Sequence, residues 1–310
     1  MLLKLVPANT NINFLGWRFF CVGFSALIFA ITLGLLLTKG LNYGIDFAGG
    51  TLVQLQTEQA VPIGDIRTQM EQAGYDGLII QEYGAPTEIL VRVPNEFMLE
   101  GGGEATTQAA REMAGALESI AGKTEIRRVE FVGPQIGEEL KQKGILAILL
   151  SALAILIYVS VRFELRFAVG ALAALLHDVM ITVGVFSFLQ KEISLPVLAA
   201  FLTILGYSLN DTIVVFDRVR ENMRRYKKKS FLEVLNISVN EMLNRTLMMT
   251  LTTAAVLISL LIYGGEVIHN FSFALLMGVL VGTYSSIYIA APIVLWMESK
   301  KVYEDGEEEA

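Results

Sequence analysis

The sequence predicts a polytopic α-helical membrane protein of six spans with one small α+β domain outside the bilayer. Three observations carry that prediction. The 310 residues are 54% hydrophobic and only 18% charged, with the apolar residues gathered in blocks. Six of those blocks hold about 18 or more residues with almost no charge, enough to cross a hydrocarbon core. Between the first and second lie about a hundred residues of mixed composition, enough for one small domain.

The spans are read at residues 19–38, 144–161, 167–189, 193–216, 246–263 and 271–297. Residues 1–18 and 298–310 flank them, and 39–143 form the outer domain with its connector. The first block is too long for a signal-peptide core, and no small-residue cleavage site follows, so it reads as an uncleaved anchor. Cys21, the only cysteine, lies inside it and reads as a small core residue, since alone it forms no intrachain disulfide. Net charge is −7, but the basic residues are unevenly placed. Lys4 and Arg18 precede the first span, Arg162 and Arg166 follow the second, and Lys300 and Lys301 follow the sixth. Arg218, Arg220, Arg224, Arg225, Lys227, Lys228 and Lys229 follow the fourth. The turns at 190–192 and 264–269 hold only Lys191 as a strong base. The positive-inside rule then puts both termini in the cytoplasm and the domain outside. The run at 224–229 reads as a topology signal touching anionic lipid, with no nucleic-acid motif or aromatic interleaving beside it.

In the outer domain, residues 51–57 alternate (Leu52, Val53, Gln54, Leu55, Gln56) and predict a strand. Pro62 opens a helix through Ala73, with Gly74 after its end. Strands follow at 78–83 and 88–93, joined by Gly84, Ala85 and Pro86. Gly101, Gly102 and Gly103 predict a flexible break, residues 105–121 a helix ended by Gly122, and 125–132 a fourth strand. The order βαββαβ matches a ferredoxin-like sandwich. Residues 136–143 resume a helical pattern, either as a stiff connector or as a loop that re-enters the bilayer. The acidic tail from Glu304 to Ala310 reads as a solvated, frayed end.

The polar groups inside the spans carry the functional reading. Asp211 lies in an apolar run, where a mid-helix carboxylate costs about 2.5–3.5 kcal/mol on insertion scales. A chain keeps such a group when it faces protein interior or a water path, so proton or ion handling is the default expectation. Arg245, at the start of the fifth span, is the partner in reach at that depth; its other reading is one more cytoplasmic positive charge. Beside the acid, an arginine favours the charged carboxylate, and its withdrawal favours proton uptake. Asn210, Ser208 and Thr212 lie close to Asp211. Thr246, Thr250 and Thr253 share one helix face. Hydroxyls in such a row carry water or, more commonly, bond backbone and pack helices. His177 and Asp178, adjacent in the third span, point about 100° apart and read as a supporting pair. Gly278 and Gly282, followed by Ser285 and Ser286, read as a close-packing stripe, and Gly206 and Tyr207 allow close approach beside Asp211.

Enzyme chemistry has no motif here: there is no Walker loop, dinucleotide fingerprint or zinc-protease pattern. His177 and His269 are far apart without cysteine partners, so neither a metal nor a cofactor is expected. Driving energy then comes from a gradient, from a partner, or from nowhere; a proton crossing the membrane field alone is worth about 2.3 kcal/mol per 100 mV.

Four strings together resemble the SecF family, the smaller membrane subunits of the SecD–SecF complex of bacterial protein export. They are Gly44-Ile45-Asp46-Phe47-Ala48-Gly49-Gly50, His177-Asp178-Val179, the stretch from Gly206 through Asn210-Asp211-Thr212 to Asn222, and Gly282-Thr283-Tyr284-Ser285-Ser286-Ile287-Tyr288. The resemblance covers nearly the whole chain and implies half of a resistance-nodulation-division type transporter in the bacterial cytoplasmic membrane. It implies SecD as the partner supplying the other half, the SecYEG channel beside it, and exported unfolded polypeptide as the client, pulled by the proton gradient on the outer side. The family's functional aspartate falls on Asp211 and its functional arginine on Arg245. A hydroxyl the family places about one turn beyond that arginine meets Met249 here, with Thr250 next. Two rivals differ in kind: a scaffold subunit that moves no protons, and a small-molecule exporter of the same superfamily. An intramembrane hydrolase at His177 and Asp178 has no suitable nucleophile.

Overall fold

The computed structural model describes residues 7, 10–75, 77–93 and 102–308; for 102–105, 266 and 300–308 only the backbone is described. In chain order the elements are α1 (Arg18–Thr38), α2 (Ile45–Ala48), β1 (Gly50–Thr57), α3 (Ile63–Gln72), β2 (Ile79–Tyr83), β3 (Ala85–Val93) and α4 (Gly102–Ala121). Then come β4 (Thr124–Val132), α5 (Pro134–Arg162), α6 (Leu165–Leu189), α7 (Leu195–Arg225) and α8 (Phe231–Tyr263). The chain closes with α9 (Glu266–Ser285), a π-helical turn (Ser286–Ala290) and α10 (Ala291–Glu308). They form two compact units: Met1–Asn42, Leu146–Lys191 and Pro196–Ala310 in one, Tyr43–Ile145 and Glu192–Leu195 in the other.

The first unit holds the long apolar helices, with α5 entering it at Leu146. Among the described residues, six helical stretches are long and apolar enough to cross a membrane, with α9, the π turn and α10 counting as one. Several outrun their apolar blocks. Helix α7 continues through Arg218 and Arg225, and α8 starts at Phe231 rather than near Thr246. The bilayer limits the apolar block, not the backbone ladder, so polar sequence with helical pattern extends it. Ser230 starts α8 with a capping box: its hydroxyl accepts from the Glu233 N–H, while the Glu233 carboxylate accepts from the Ser230 N–H. The core here is built of Phe167, Phe216, Val215, Val219 and small residues such as Ala171 and Ala290.

The second unit holds a four-stranded antiparallel sheet in the order β2-β3-β1-β4. Val53 lies opposite Val91 and Val129, and Leu55 opposite Ile89 and Ile126. The period of two sends Val53 and Leu55 to one face, where they pack with Ile66 and Met70 of α3 and Met113 and Leu117 of α4. The other face carries a smaller cluster of Leu52, Leu90 and Ile45 of α2. Gly49 and Gly50 turn α2 into β1 at φ +69° and +121°, a conformation open to residues without a Cβ.

One open alternative closes and two expectations change. The stretch at 136–143 is not a loop: α5 runs unbroken from Pro134, whose missing N–H is harmless in a first turn. The glycine break is shorter than predicted, since α4 already begins at Gly102; Gly101 lies outside the described residues. The acidic tail continues α10 through Glu308 instead of fraying from Glu304, and 309–310 lie outside the described residues.

Candidate functional site

Asp211 sits midway along α7 and is 8% exposed. Its Oδ1 accepts a hydrogen bond from Thr246 Oγ1 of α8 at 2.6 Å, and its Oδ2 accepts one from Ser286 Oγ at 3.0 Å. Ser286 opens the π turn between α9 and α10. Such a turn shifts the angular register of the residues that follow it and recurs at functional sites.

A second carboxylate lies close by in the bonding pattern. Asp178 of α6 is fully buried, and its Oδ2 accepts from Ser208 Oγ at 2.5 Å and Ser285 Oγ at 2.8 Å. His177 Nδ1 lies 3.2 Å from its Oδ1, and the His177 ring stacks on Tyr284. Ser208 precedes Asp211 by one turn of α7, and Ser285 adjoins Ser286, so α7 carries one acid and donates to the other, and two adjoining serines donate to one acid each. Glycine makes the fit possible: a methyl group at Gly282 would lie 3.1 Å from the Ser208 side chain, and one at Gly278 would collide with Ile204.

Tyr207, Ser208, Asp211, Thr246, Thr250 and Thr283 line a cavity of about 10 Å³, room for about one water. Around it, Thr250 and Thr283 share a hydrogen bond at 2.6 Å, and Tyr207 OH donates to Thr253 Oγ1 and Met249 O. The three threonines of the α8 face thus bond three different groups on neighbouring helices.

The sequence-derived residues separate into two groups. Asp211, Thr250, His177, Asp178, Gly278 and Gly282 meet at or beside this cluster. Arg245 does not: it is exposed and lines a second, open cavity of about 390 Å³ with Tyr158, Arg162, Asp217 and Arg218. Among the described residues no ion pair within 4 Å joins it to Asp211, whose oxygens are taken by Thr246 and Ser286. Asn210 is exposed on α7, and a methyl group at Gly206 would meet nothing within 4 Å. Nothing in the sequence alone marks Ser286 and Thr246 as the direct partners of Asp211. Thr246 was visible as the first of a hydroxyl row, and Ser285 and Ser286 only as small residues after the glycine stripe.

The family described as Protein export membrane protein SecD/SecF, C-terminal, matches residues 112–300, and the SecD/SecF GG motif matches residues 34–61. The Protein translocase subunit SecF of Magnetococcus marinus is 48% identical over 292 residues, 93% of each chain. The chain belongs to the SecF family. The SecF of Vibrio alginolyticus is 43% identical, covering 97% of this chain and 94% of that one. A crystal structure of SecDF from Thermus thermophilus, described as a translocon-associated membrane protein, superposes with a TM-score of 0.85 at 36% identity. SecDF in its super-membrane-facing form gives 0.72 at the same identity. This SecF-family chain is covered for 95% and 98% of its length, but spans only 40% and 41% of those SecDF chains. It is an integral membrane protein, with six apolar helical stretches among the described residues.

Proposed function

We propose that this chain is a proton-coupled accessory subunit of the Sec protein translocase, with Asp211 as the group that takes and releases the proton. The carrying observation is the setting of Asp211: buried at mid-helix, with each oxygen held by a hydroxyl from a different helix. Such a carboxyl is retained inside a membrane for use rather than for stability. Arg245 immediately precedes Thr246, so the two point about 100° apart on α8. A rotation of α8 exchanges a neutral hydroxyl for a guanidinium against Asp211, and that exchange drives the proton off. Protons bias the two arrangements only because they bind them unequally. His177 and Asp178 support the cluster, and Thr250 lines the cavity beside the acid.

The outer unit is read as a ferredoxin-like sandwich, which the chain order βαββαβ and the sheet order β2-β3-β1-β4 support. It changes orientation during the cycle and acts on exported, unfolded polypeptide beside the SecYEG channel. SecD supplies the other half of the bundle; the match to two fifths of a SecDF chain supports that division. The site is the bacterial cytoplasmic membrane, with both termini in the cytoplasm, as the basic residues after α7 suggest.

The test is Asp211→Asn, close in size and not ionisable, in vesicles carrying the complete translocase. Export is expected to lose its response to an imposed proton gradient while assembly stays intact. An undiminished gradient response would leave a scaffold subunit as the reading.

A further inference from the structure

The glycine-rich string at 44–50 takes no part in the proton step, yet the structure gives it a definite set of contacts. Within the second unit it closes on the four residues Glu192–Leu195. Gly44 N–H donates to Ile193 O at 2.8 Å, and Tyr43 pairs with Ile193 in a short parallel bridge. Arg92 of β3, 6% exposed, donates from Nη1 to Tyr43 O at 2.9 Å and pairs through Nη2 with Glu192 Oε2 at 2.7 Å. One buried guanidinium therefore holds both sides of the bridge. Asp46 Oδ2 accepts from Leu195 N–H at 2.8 Å. Leu195 is the first residue of α7, so a carboxylate from α2 caps that helix where its positive end favours an anion. The next residue, Pro196, has no N–H to offer, which makes the Leu195 donor the more important one to satisfy.

The glycines follow from this packing. A methyl group at Gly44 would lie 2.5 Å from Glu192 Oε1 and 3.2 Å from Ile193 O. One at Gly137 of α5 would lie 3.0 Å from Gly49 N and from Phe47 O. Side chains at these positions would push the string off its partners.

We propose that the 44–50 string and Arg92 form a clasp on the start of the Asp211 helix, with Asp46, Arg92 and Glu192 as positioning residues through which displacement of α7 reaches the outer unit. Glu192–Leu195 group with the outer unit, whereas the chain from Pro196 groups with the membrane helices. Asp211 lies about 24 Å along the same helix from Leu195, at ~1.5 Å rise per residue. A continuous hydrogen-bonded helix carries an axial shift or rotation over that distance with little loss. The inference rests on Asp211 as the proton-handling group, and it adds a route by which proton binding is felt outside the bilayer.

The test is amide hydrogen exchange on the complete complex in vesicles, read at the first turn of α7 and at residues 44–50. Asp46→Ala and Glu192→Ala are each expected to speed exchange in that first turn about tenfold. Glu192→Gln, which keeps an oxygen to accept from Arg92 Nη2 and leaves the Arg92–Tyr43 bond in place, is expected to retain much of the protection lost in Glu192→Ala. It also serves if a single variant fails to assemble. Asp211→Asn is expected to change exchange at 44–50 about threefold, and to stop doing so once Asp46→Ala is added. If Asp211→Asn abolishes gradient-driven export but leaves 44–50 unmoved, the clasp does not relay and the proton reading stands. If Asp46→Ala leaves the first turn of α7 fully protected, the clasp itself is refuted. If Asp211→Asn exports normally with the gradient, the proton reading fails, and the clasp is judged by the Asp46→Ala exchange alone.

Discussion

The two units sort their side chains in opposite ways. In the outer unit Val53, Leu55, Ile66 and Leu117 are fully buried, while ion pairs such as Lys143–Glu139 lie on the surface. In the membrane unit Leu37 and Val161 are 88% and 84% exposed, while Asp178, Ser208, Ser285 and Ser286 are buried. Water rewards the first arrangement through the hydrophobic effect, at about 25 cal/mol per Å² of apolar surface removed. Lipid gives no such reward for burying leucine, so its helices associate through close packing and hydrogen bonds, each worth about 0.6 kcal/mol on average. A buried polar cluster is thus a defect to be excused in one unit and part of the adhesive in the other.

The sharpest way to break that comparison is a pair of truncations. Leu117→Ala is expected to cost the outer unit about 2–5 kcal/mol, the range for opening a core cavity. Val161→Ala, at an exposed position of α5, is expected to change stability by less than about 0.5 kcal/mol. Amide exchange in β1 and in residues 146–162 of α5 reads each unit separately; equal losses would erase the contrast.

A second pair sharpens the packing side. Gly278→Val drives a branched side chain into Ile204 and is expected to cost about 1–3 kcal/mol. Gly206→Ala meets open space and is expected to be neutral or to gain up to about 1 kcal/mol from helix propensity. Trp17 and Trp296 both belong to the membrane unit, so thermal melting followed by tryptophan fluorescence reports on it directly.

A third variant probes the buried acid. Asp178→Ala takes the acceptor from the Ser208 hydroxyl and leaves Ser285 only the longer bond to Gly282 O, and is expected to cost about 1–2 kcal/mol; Asp178→Asn keeps an acceptor oxygen and loses less. The same fluorescence melt compares the two, and equal losses would assign the effect to volume rather than to hydrogen bonding.

The smallest effect lies in the outer unit. Partial burial, and then its hydrogen bond to Glu112 at 2.8 Å, push the Tyr75 phenol up to about 12. A raised phenol means that the folded unit keeps a proton the unfolded chain has already released. Its stabilisation is complete below the unfolded value near 10 and fades as pH rises towards 12. Solvent screening at this half-exposed site limits the total to less than about 1 kcal/mol. Alkaline unfolding followed by circular dichroism should therefore be less pH-dependent in Tyr75→Phe between those values.

Much of the secondary structure was legible because its causes are local. Alternation at 51–57 predicts the strand found at Gly50–Thr57, and the fourth strand read at 125–132 is found at Thr124–Val132. Pro62 and Gly74 bracketed a helix found at Ile63–Gln72. The six apolar blocks correspond to six helical stretches. Helix ends were less legible, because the polar extensions of α7 and α8 are stabilised by caps and by contacts such as Arg218–Glu241 and Asn222–Ser238 between them. Asp211 stood out from charge and hydropathy alone. Its partners did not: sequence offered Arg245 by depth, while the structure sets Thr246 and Ser286 against it.

By itself the chain determined how many times it can cross a bilayer, where its strands run and which carboxylates it buries, since length, period and charge are properties of neighbouring residues. Only the tertiary structure decided which hydroxyl faces which acid, and that residues 44–50 close on Glu192–Leu195 far along the chain. Those pairings depend on the rotation and axial register of whole helices. A single π turn before Ala291, or a glycine that lets two backbones touch, resets that register without leaving a periodic trace.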